Sequence, residues 1–292
     1  MMQPTFLQRV RRKLDKTIAA WFFIDQWVIL TGRGLGYASL SWDAFTPLIP
    51  EKDRYWADPF VVERGRRYFV FVEEKLYATG RGHIACLELD RDGRLVSQRV
   101  VLEAEHHLSY PFVFEHGNEL FMLPESAASR KVELYRCARF PDTWEPASVL
   151  MEDVYAVDVT LLDHGGRTWL FANLKEEGGS SLNALHLFWG DSPLARVWHP
   201  HPRNPVVRDI GSARPAGRIF IDDGQLIRPS QDSSHRYGHG LKFNRIDQLD
   251  GENYSEHTLA ALEPRGGRIR ATHTFNQAGD LTVIDAVIRR AR

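Results

Sequence analysis

The chain has 292 residues, a length that fits one large all-β domain or two ordinary domains. Apolar residues make up 43% and charged residues 26%, a globular balance that excludes a disordered tail protein. With 37 basic and 38 acidic side chains the formal net charge is −1, so there is no global field for nucleic acid, and no nucleic-acid partner is expected. The 8 Trp, 9 Tyr and 16 Phe, set among 22 Gly and 15 Pro, point to short strands joined by turns, with rings free to stack on flat ligands such as sugar faces.

At the start of the chain Phe6, Val10, Leu14 and Ile18 recur every four residues, while Arg9, Arg11, Arg12, Lys13 and Lys16 crowd the positions between. This pattern predicts a basic amphipathic helical segment over residues 1–24. It either lies on an anionic membrane surface, making peripheral contact through residues 5–22, or docks its stripe on its own domain. No signal-peptide pattern is present, and the longest apolar run, Ile18 to Ile24, is seven residues, too short to span a bilayer. The expectation is a cytoplasmic protein, associated with the inner membrane face if the first reading of the helix holds.

Several local patterns carry little. Cys86 and Cys137 sit in apolar, strand-like runs and are expected as buried free thiols. Gly32-Arg33-Gly34-Leu35-Gly36 opens no helix, so no dinucleotide site follows. Asp90-Arg91-Asp92 runs into Gly93 and reads as a β-turn rather than a metal-binding Asp-x-Asp. His106, His107, His199 and His201 lack companions at metal-ligand spacing and are expected on loop surface. Neither a metal nor a cofactor is implied.

The decisive feature is a repeat. Ala57-Asp58-Pro59-Phe60-Val61-Val62 leads through Gly65 to Tyr68-Phe69-Val70-Phe71-Val72-Glu73. Ser109-Tyr110-Pro111-Phe112-Val113-Phe114 leads through Gly117 to Leu120-Phe121-Met122-Leu123-Pro124-Glu125. Val157-Asp158-Val159-Thr160-Leu161-Leu162 leads through Gly165 to Thr168-Trp169-Leu170-Phe171-Ala172-Asn173. In each copy the marker residue (Asp58, Tyr110, Asp158) precedes the turn glycine by seven positions and the polar strand-end residue by fifteen. A looser copy runs from Arg214-Pro215-Ala216 through Asp222-Asp223-Gly224 to Arg228-Pro229-Ser230-Gln231, and a fainter one from Thr272-His273-Thr274-Phe275 through Gly279 to Asp285.

Each copy is a β-hairpin by composition, and further strand-like runs between copies make about four strands per ~50-residue unit, which is a propeller blade. The fold class predicted is all-β: a five-bladed β-propeller over residues 25–292 with an N-terminal amphipathic helix. Its blades fall near 50–100, 101–150, 151–205, 206–248 and 249–292, closed by a strand at 26–30. Two stacked β-sandwiches would not explain the fixed offsets.

In a propeller, equivalent positions form rings around a central funnel. One ring is then Asp58, Tyr110, Asp158, Arg214 and His273; a second is Glu73, Glu125, Asn173 and Gln231. Both vary in residue type yet stay polar inside apolar strands, as a site does. Crowded carboxylates push each other's pKa values apart, so one serves as base or nucleophile and another as acid. That is the pairing glycosyl transfer needs. Asp58 is read as base or nucleophile, Glu125 as proton donor, and Asp158 as the group that tunes and orients. Glu73, Tyr110, Asn173, Arg214, Gln231, Asp232, Tyr237 and His273 are read as substrate-binding. Arg214 has two open roles: a bidentate clamp for a carboxylate or phosphate, or an ion-pair partner for one of the Asp residues.

Tyr55-Trp56-Ala57-Asp58-Pro59-Phe60, Ser109-Tyr110-Pro111-Phe112-Val113-Phe114-Glu115, Leu123-Pro124-Glu125-Ser126, Val132-Glu133-Leu134-Tyr135-Arg136, His201-Pro202-Arg203-Asn204-Pro205-Val206, Ser212-Ala213-Arg214-Pro215-Ala216-Gly217 and Arg228-Pro229-Ser230-Gln231-Asp232 also carry a resemblance. Over roughly residues 50 to 290 the chain resembles the propeller domain at the N-terminus of plant glucosamine inositolphosphorylceramide transferases and in bacterial polysaccharide-cluster proteins. More distantly it is similar to the five-bladed arabinanase, invertase and levansucrase superfamily of family-43-like glycosidases. That likeness implies a carbohydrate substrate and carries over Asp58 and Asp158 as funnel acids. The superfamily's acidic Glu comes from a later blade than Glu125, and the fourth copy here offers Arg214 and Gln231 instead, a departure from simple hydrolysis.

The resulting expectation is a glycosyltransferase, of furanosyl type, acting in surface polysaccharide or glycolipid assembly. Its partners would be a nucleotide- or phosphate-linked sugar donor and a glycan or lipid-linked acceptor. A glycoside hydrolase or phosphorylase and a non-catalytic sugar-binding propeller are the alternatives.

Overall fold

The computed structural model describes residues 22–175 and 178–292. The expected N-terminal helix lies, through residue 21, outside the described residues; the chain is already in a strand at Phe23–Arg33. Five antiparallel sheets make up the described structure, and their order is that of a five-bladed propeller.

Sheet one comprises Arg54–Arg64, Arg67–Leu76, Gly82–Leu89 and Leu95–Leu102. Sheet two comprises Ser109–His116, Glu119–Glu125, Lys131–Arg139 and Thr143–Glu152. Sheet three comprises Ala156–His164, Arg167–Leu174, Leu185–Gly190 and the short His199–Pro200. Sheet four comprises Phe220–Asp222, Gln225–Asp232, Gly240–Leu249 and Tyr254–Leu262. Its outermost strand therefore lies beyond residue 248, and the expected boundary there cuts through a sheet; composition marks strands but not which sheet owns them.

The fifth sheet is assembled from both ends of the described chain. Phe23–Arg33 pairs along its whole length with Leu281–Ala291, from Phe23 opposite Ala291 to Arg33 opposite Leu281. Ile269–Ala271 and Phe275–Ala278 flank the latter strand, and Thr46–Leu48 lies outside the former. Closing the ring this way covers the two apolar sheet faces that an open stack of blades would leave exposed at its ends.

Apolar residues pack between sheets. Phe60, Phe112, Phe121, Leu123, Leu161 and Leu170 form one cluster; Ile29, Trp56, Val70, Val72, Leu87 and Val283 form another that ties sheet five to sheet one. Cys86 is buried and Cys137 half-buried, both free. Asp90 caps its turn as expected, its Oδ1 accepting from the amides of Asp92 and Arg94 at 2.9 Å each.

Ile29, fully buried on the closing strand, tests the closure. Ile29→Ala is expected to cost about 2–5 kcal/mol in denaturant unfolding with an unchanged m-value. A loss below about 0.5 kcal/mol would mean that this strand does not close the core.

Candidate active site

The site begins with a backbone irregularity repeated three times. Ala57 faces Glu73 and Phe60 faces Phe71, so Asp58 and Pro59 together oppose one residue of the neighbouring strand. Tyr110-Pro111 and Asp158-Val159 do the same in sheets two and three. These are β-bulges, which re-aim side chains and tolerate a proline because the extra residue does not need its ladder N–H. Asp58, Tyr110 and Asp158 all take positive φ, 52°, 41° and 53°. Such strain costs on the order of 1–3 kcal/mol in a non-glycine residue and persists where the surroundings hold it.

The surroundings do hold it. The Asp58 amide donates to Asp285 Oδ2 at 3.0 Å, the Tyr110 amide to Asp58 Oδ2 at 3.3 Å, and the Asp158 amide to Glu125 Oε2 at 3.3 Å. Each bulge is thus tied to a carboxylate of the preceding blade.

Two carboxylate clusters result. In the first, Asp58 Oδ1 accepts from Thr274 Oγ1 at 2.8 Å and lies 3.6 Å from His273 Nδ1, which is 2.6 Å from Asp285 Oδ2. Asp285 Oδ1 also accepts the amides of His273 and Thr274 at 2.8 and 3.0 Å. His273 stacks on Trp27 with ring centroids 4.1 Å apart, and Tyr237 meets it edge-on at 5.5 Å. In the second cluster Arg214 grips Asp158 with Nε and Nη2, Gln231 Nε2 donates to Asp158 Oδ2 at 2.8 Å, and Glu125 Oε2 is 3.6 Å from Arg214 Nη2.

The ionisation states separate accordingly. Burial pushes Asp58 up to about 6 even though His273 pulls it down. Burial, reinforced by Asp58, pushes Glu73 up to about 8. Burial and Asp158 together raise Glu125 far above the carboxylate range. Burial alone would lower His273, but Asp285 and Asp58 outweigh it and bring it to about 9. At neutral pH the funnel therefore holds an ionised Asp58, protonated Glu73 and Glu125, and charged His273 and Arg214.

Asp58, His273 and Asp285 also bring one ligand atom each within 4.8 Å of one another. Two carboxylates and an imidazole suit a divalent cation, yet a cation here would displace the proton between His273 Nδ1 and Asp285 and the Thr274 hydrogen bond. The sequence reading missed this trio because its members come from opposite ends of the described chain.

Of the predicted residues, Asp58, Glu125, Asp158, Arg214, Gln231, Tyr237 and His273 converge through these contacts, and Glu73 lies close enough for the charges of Asp58 and His273 to act on it. Asn173 is fully buried at the matching position, with Nδ2 donating to Ser181 O at 3.2 Å. Its Oδ1 and Gln231 Oε1 are buried acceptors with no hydrogen-bond partner among the described residues. Two expectations are corrected. Tyr110 is fully buried and its hydroxyl is already engaged by the Gly217 amide at 2.7 Å and Thr160 Oγ1 at 2.9 Å, so it braces blades two, three and four instead of meeting a ligand. Asp232 pairs with Lys242 Nζ at 3.4 Å and caps Ser234, a turn role. Of the two roles left open for Arg214, the structure shows the ion pair, its bidentate face filled by Asp158.

Two histidines also depart from the loop-surface expectation. His201 is buried, and His107 Nε2 lies 3.3 Å from Glu73 Oε1, which also accepts the Tyr55 hydroxyl at 2.8 Å. His107 and Tyr55 precede the first strands' markers by only three residues, the one positional hint that they belong to the funnel.

Arg214→Ala would strand the Asp158 carboxylate in a buried site. A loss of about 3–5 kcal/mol is expected, partly recovered by adding Asp158→Asn, as thermal melts of both variants would register. Stability also falls as pH rises. Glu73 ordinarily titrates at 4.5 and here at about 8, so the folded state holds a proton that the unfolded chain has already released between those values. Asp58 and His273 shift in the same direction. Unfolding free energy is expected to decline from about pH 5 to pH 8, with Glu73→Gln removing up to about 1.4 kcal/mol per pH unit of that slope. An unchanged slope in the variant would refute the assignment.

Residues 49–272 match the family model described as glucosamine inositolphosphorylceramide transferase 1, N-terminal. A glucosamine inositolphosphorylceramide transferase 1 from Oryza sativa subsp. japonica is 36% identical over 239 residues, covering 78% of this chain and 32% of the rice protein. The chain therefore spans about a third of the length of that curated relative. Among solved structures, the family 117 glycoside hydrolase Zg3597 from Zobellia galactanivorans overlays with a TM-score of 0.57 at 10% identity, covering 90% of each chain. An exo-1,5-alpha-L-arabinanase from a bovine ruminal metagenomic library overlays at 0.53 and 12% identity, covering 82% of this chain and 94% of its own. At such identities these two speak for the fold alone. The sequence match settles the family, and the chain belongs to that of the glucosamine inositolphosphorylceramide transferase 1 N-terminal region.

Proposed function

We propose that the funnel binds a sugar and that the chain is a carbohydrate-active domain of glycosyltransferase type, serving the assembly of a glycolipid or surface polysaccharide. The observation that carries this reading is the split among carboxyl groups in one funnel: Asp58 near 6, ready to accept a proton at neutral pH, beside Glu73 near 8, ready to give one. The unpartnered Asn173 Oδ1 and Gln231 Oε1 supply acceptors for ligand hydroxyls, and half-exposed Tyr237 offers a ring to a sugar face. The transferase name of the rice relative supports transfer as the reaction and a glycolipid as the acceptor.

Asp58 is the base for the incoming hydroxyl in this reading, and Asp158, neutralised by Arg214, shapes the field. A furanose is the first sugar form to try. We further propose peripheral contact with an anionic membrane at the cytoplasmic face through residues 5–22, on the strength of their basic amphipathic pattern. Hydrolysis, with water in place of the acceptor, is the second reading; the engagement of Arg214 by Asp158 favours it over use of a phosphate-bearing donor.

The test is binding and turnover of furanosides and pyranosides, with and without a glycolipid acceptor. Wild type should bind a sugar in the funnel, and Asp58→Asn should keep that affinity within about threefold while losing 10²-fold or more in turnover. Turnover only with the acceptor supports transfer, and turnover in water alone supports hydrolysis. Sugar binding without turnover in either chain would leave a lectin-like module and sink the catalytic reading.

A further inference from the structure

Glu73 has two oxygens in unlike surroundings. Oε1 accepts the Tyr55 hydroxyl at 2.8 Å and lies 3.3 Å from His107 Nε2. The Gly82 amide donates to His107 Nδ1 at 2.8 Å. A neutral imidazole carries one ring proton, so this bond places it on Nε2, the nitrogen that lies 3.3 Å from Glu73 Oε1. Burial, helped by Lys75, keeps the ring neutral by lowering His107 to about 4. Gly82 is needed for that contact: a Cβ there would lie 2.6 Å from His107 Cε1, 2.7 Å from the Leu108 carbonyl oxygen and 2.8 Å from Glu73 Oε1.

With the Tyr55 hydroxyl donating to Oε1 and His107 Nε2 beside that same oxygen, the carboxylic proton of Glu73 belongs on Oε2. Glu125 differs: its Oε2 accepts the Asp158 amide at 3.3 Å and lies 3.6 Å from Arg214 Nη2, so this carboxyl is anchored to the next blade's bulge and sits beside a cation.

We propose that Glu73, rather than Glu125, is the proton donor of the funnel, and that His107, fixed in one tautomer by Gly82, is the residue that positions it. This rests on the carbohydrate reading of the funnel. With an O-glycoside as donor, the Oε2 proton passes to the glycosidic oxygen as the bond from that oxygen to the anomeric carbon breaks, its electron pair staying on oxygen. The hydroxyl of the acceptor, or of water, bonds the anomeric carbon and gives its proton to Asp58. Return of that proton through solvent from Asp58 to Glu73 restores both groups, so the cycle needs no other reactant.

The experiment compares the full chain with Glu73→Gln, Glu125→Gln and His107→Ala on aryl glycosides of graded leaving-group acidity, from 2,4-dinitrophenyl to phenyl, in furanose and pyranose series. Sugar affinity and thermal melts are measured alongside. Loss of a proton donor harms poor leaving groups most. Glu73→Gln should therefore stay within about tenfold of wild type on dinitrophenyl glycosides and lose 10²- to 10³-fold on phenyl glycosides. His107→Ala, removing a ring N–H dipole that lies 3.3 Å from Oε1 and favours ionised Glu73, should move the basic limb of the pH–rate profile upward by half a unit or more, which a merely structural role would not do. If Glu125→Gln shows the leaving-group dependence and Glu73→Gln does not, the proposal is overturned while the funnel reading stands. Sugar binding without turnover by wild type overturns the donor role, and no sugar binding at all overturns the funnel reading as well.

Discussion

The amide of each bulged funnel residue is held by a carboxylate from the blade before it: Asp285 holds Asp58, Asp58 holds Tyr110, and Glu125 holds Asp158. Without those bonds three non-glycine residues at positive φ would relax toward ordinary strand geometry. With them, the bulges stay fixed and the side chains that line the funnel keep their aim. The same carboxylates that stitch neighbouring blades thus make up the site, so ring closure and site geometry are one problem with one solution.

This coupling dictates the electrostatics. Asp58 and Glu125, recruited to bind backbone amides at blade junctions, and Glu73, which accepts the Tyr55 hydroxyl, are all drawn out of water, and desolvation is the leading cause of the upward shift at each. Two cations then divide the burden. Arg214 neutralises Asp158 in a bidentate pair, and His273, clamped between Trp27 and Tyr237, answers Asp285 and Asp58. Glu73 and Glu125, farther from a dedicated cation or already beside a neutralised pair, meet the desolvation by keeping their protons.

Much of the fold was legible because a blade is short and its period visible. The offsets of seven and fifteen residues that align Asp58, Tyr110 and Asp158 with their glycines and polar strand ends report hairpin length, which is a local property. The strand at Gln26–Leu30 was also visible, although its full extent, Phe23–Arg33, follows from pairing with Leu281–Ala291. Legibility failed where a role depends on who stands opposite. Tyr110 shared a register with two acids, yet its ring is long enough to reach Gly217 and becomes a brace. Asp232 extended a polar run but turns toward Lys242.

What the sequence by itself determined is the set of polar positions that interrupt apolar strands at a fixed spacing, and with it the propeller, its blade count and the two rings. Strand periodicity and turn chemistry act over a dozen residues, so a linear pattern can encode them. Only the tertiary structure decided which ring members pair and which stay available. Asp58 meets Asp285 across 227 positions and Asp158 meets Arg214 across 56, while Glu73 meets His107 over a blade junction. Desolvation and charge pairing depend on those distances in space, and no spacing along the chain sets them.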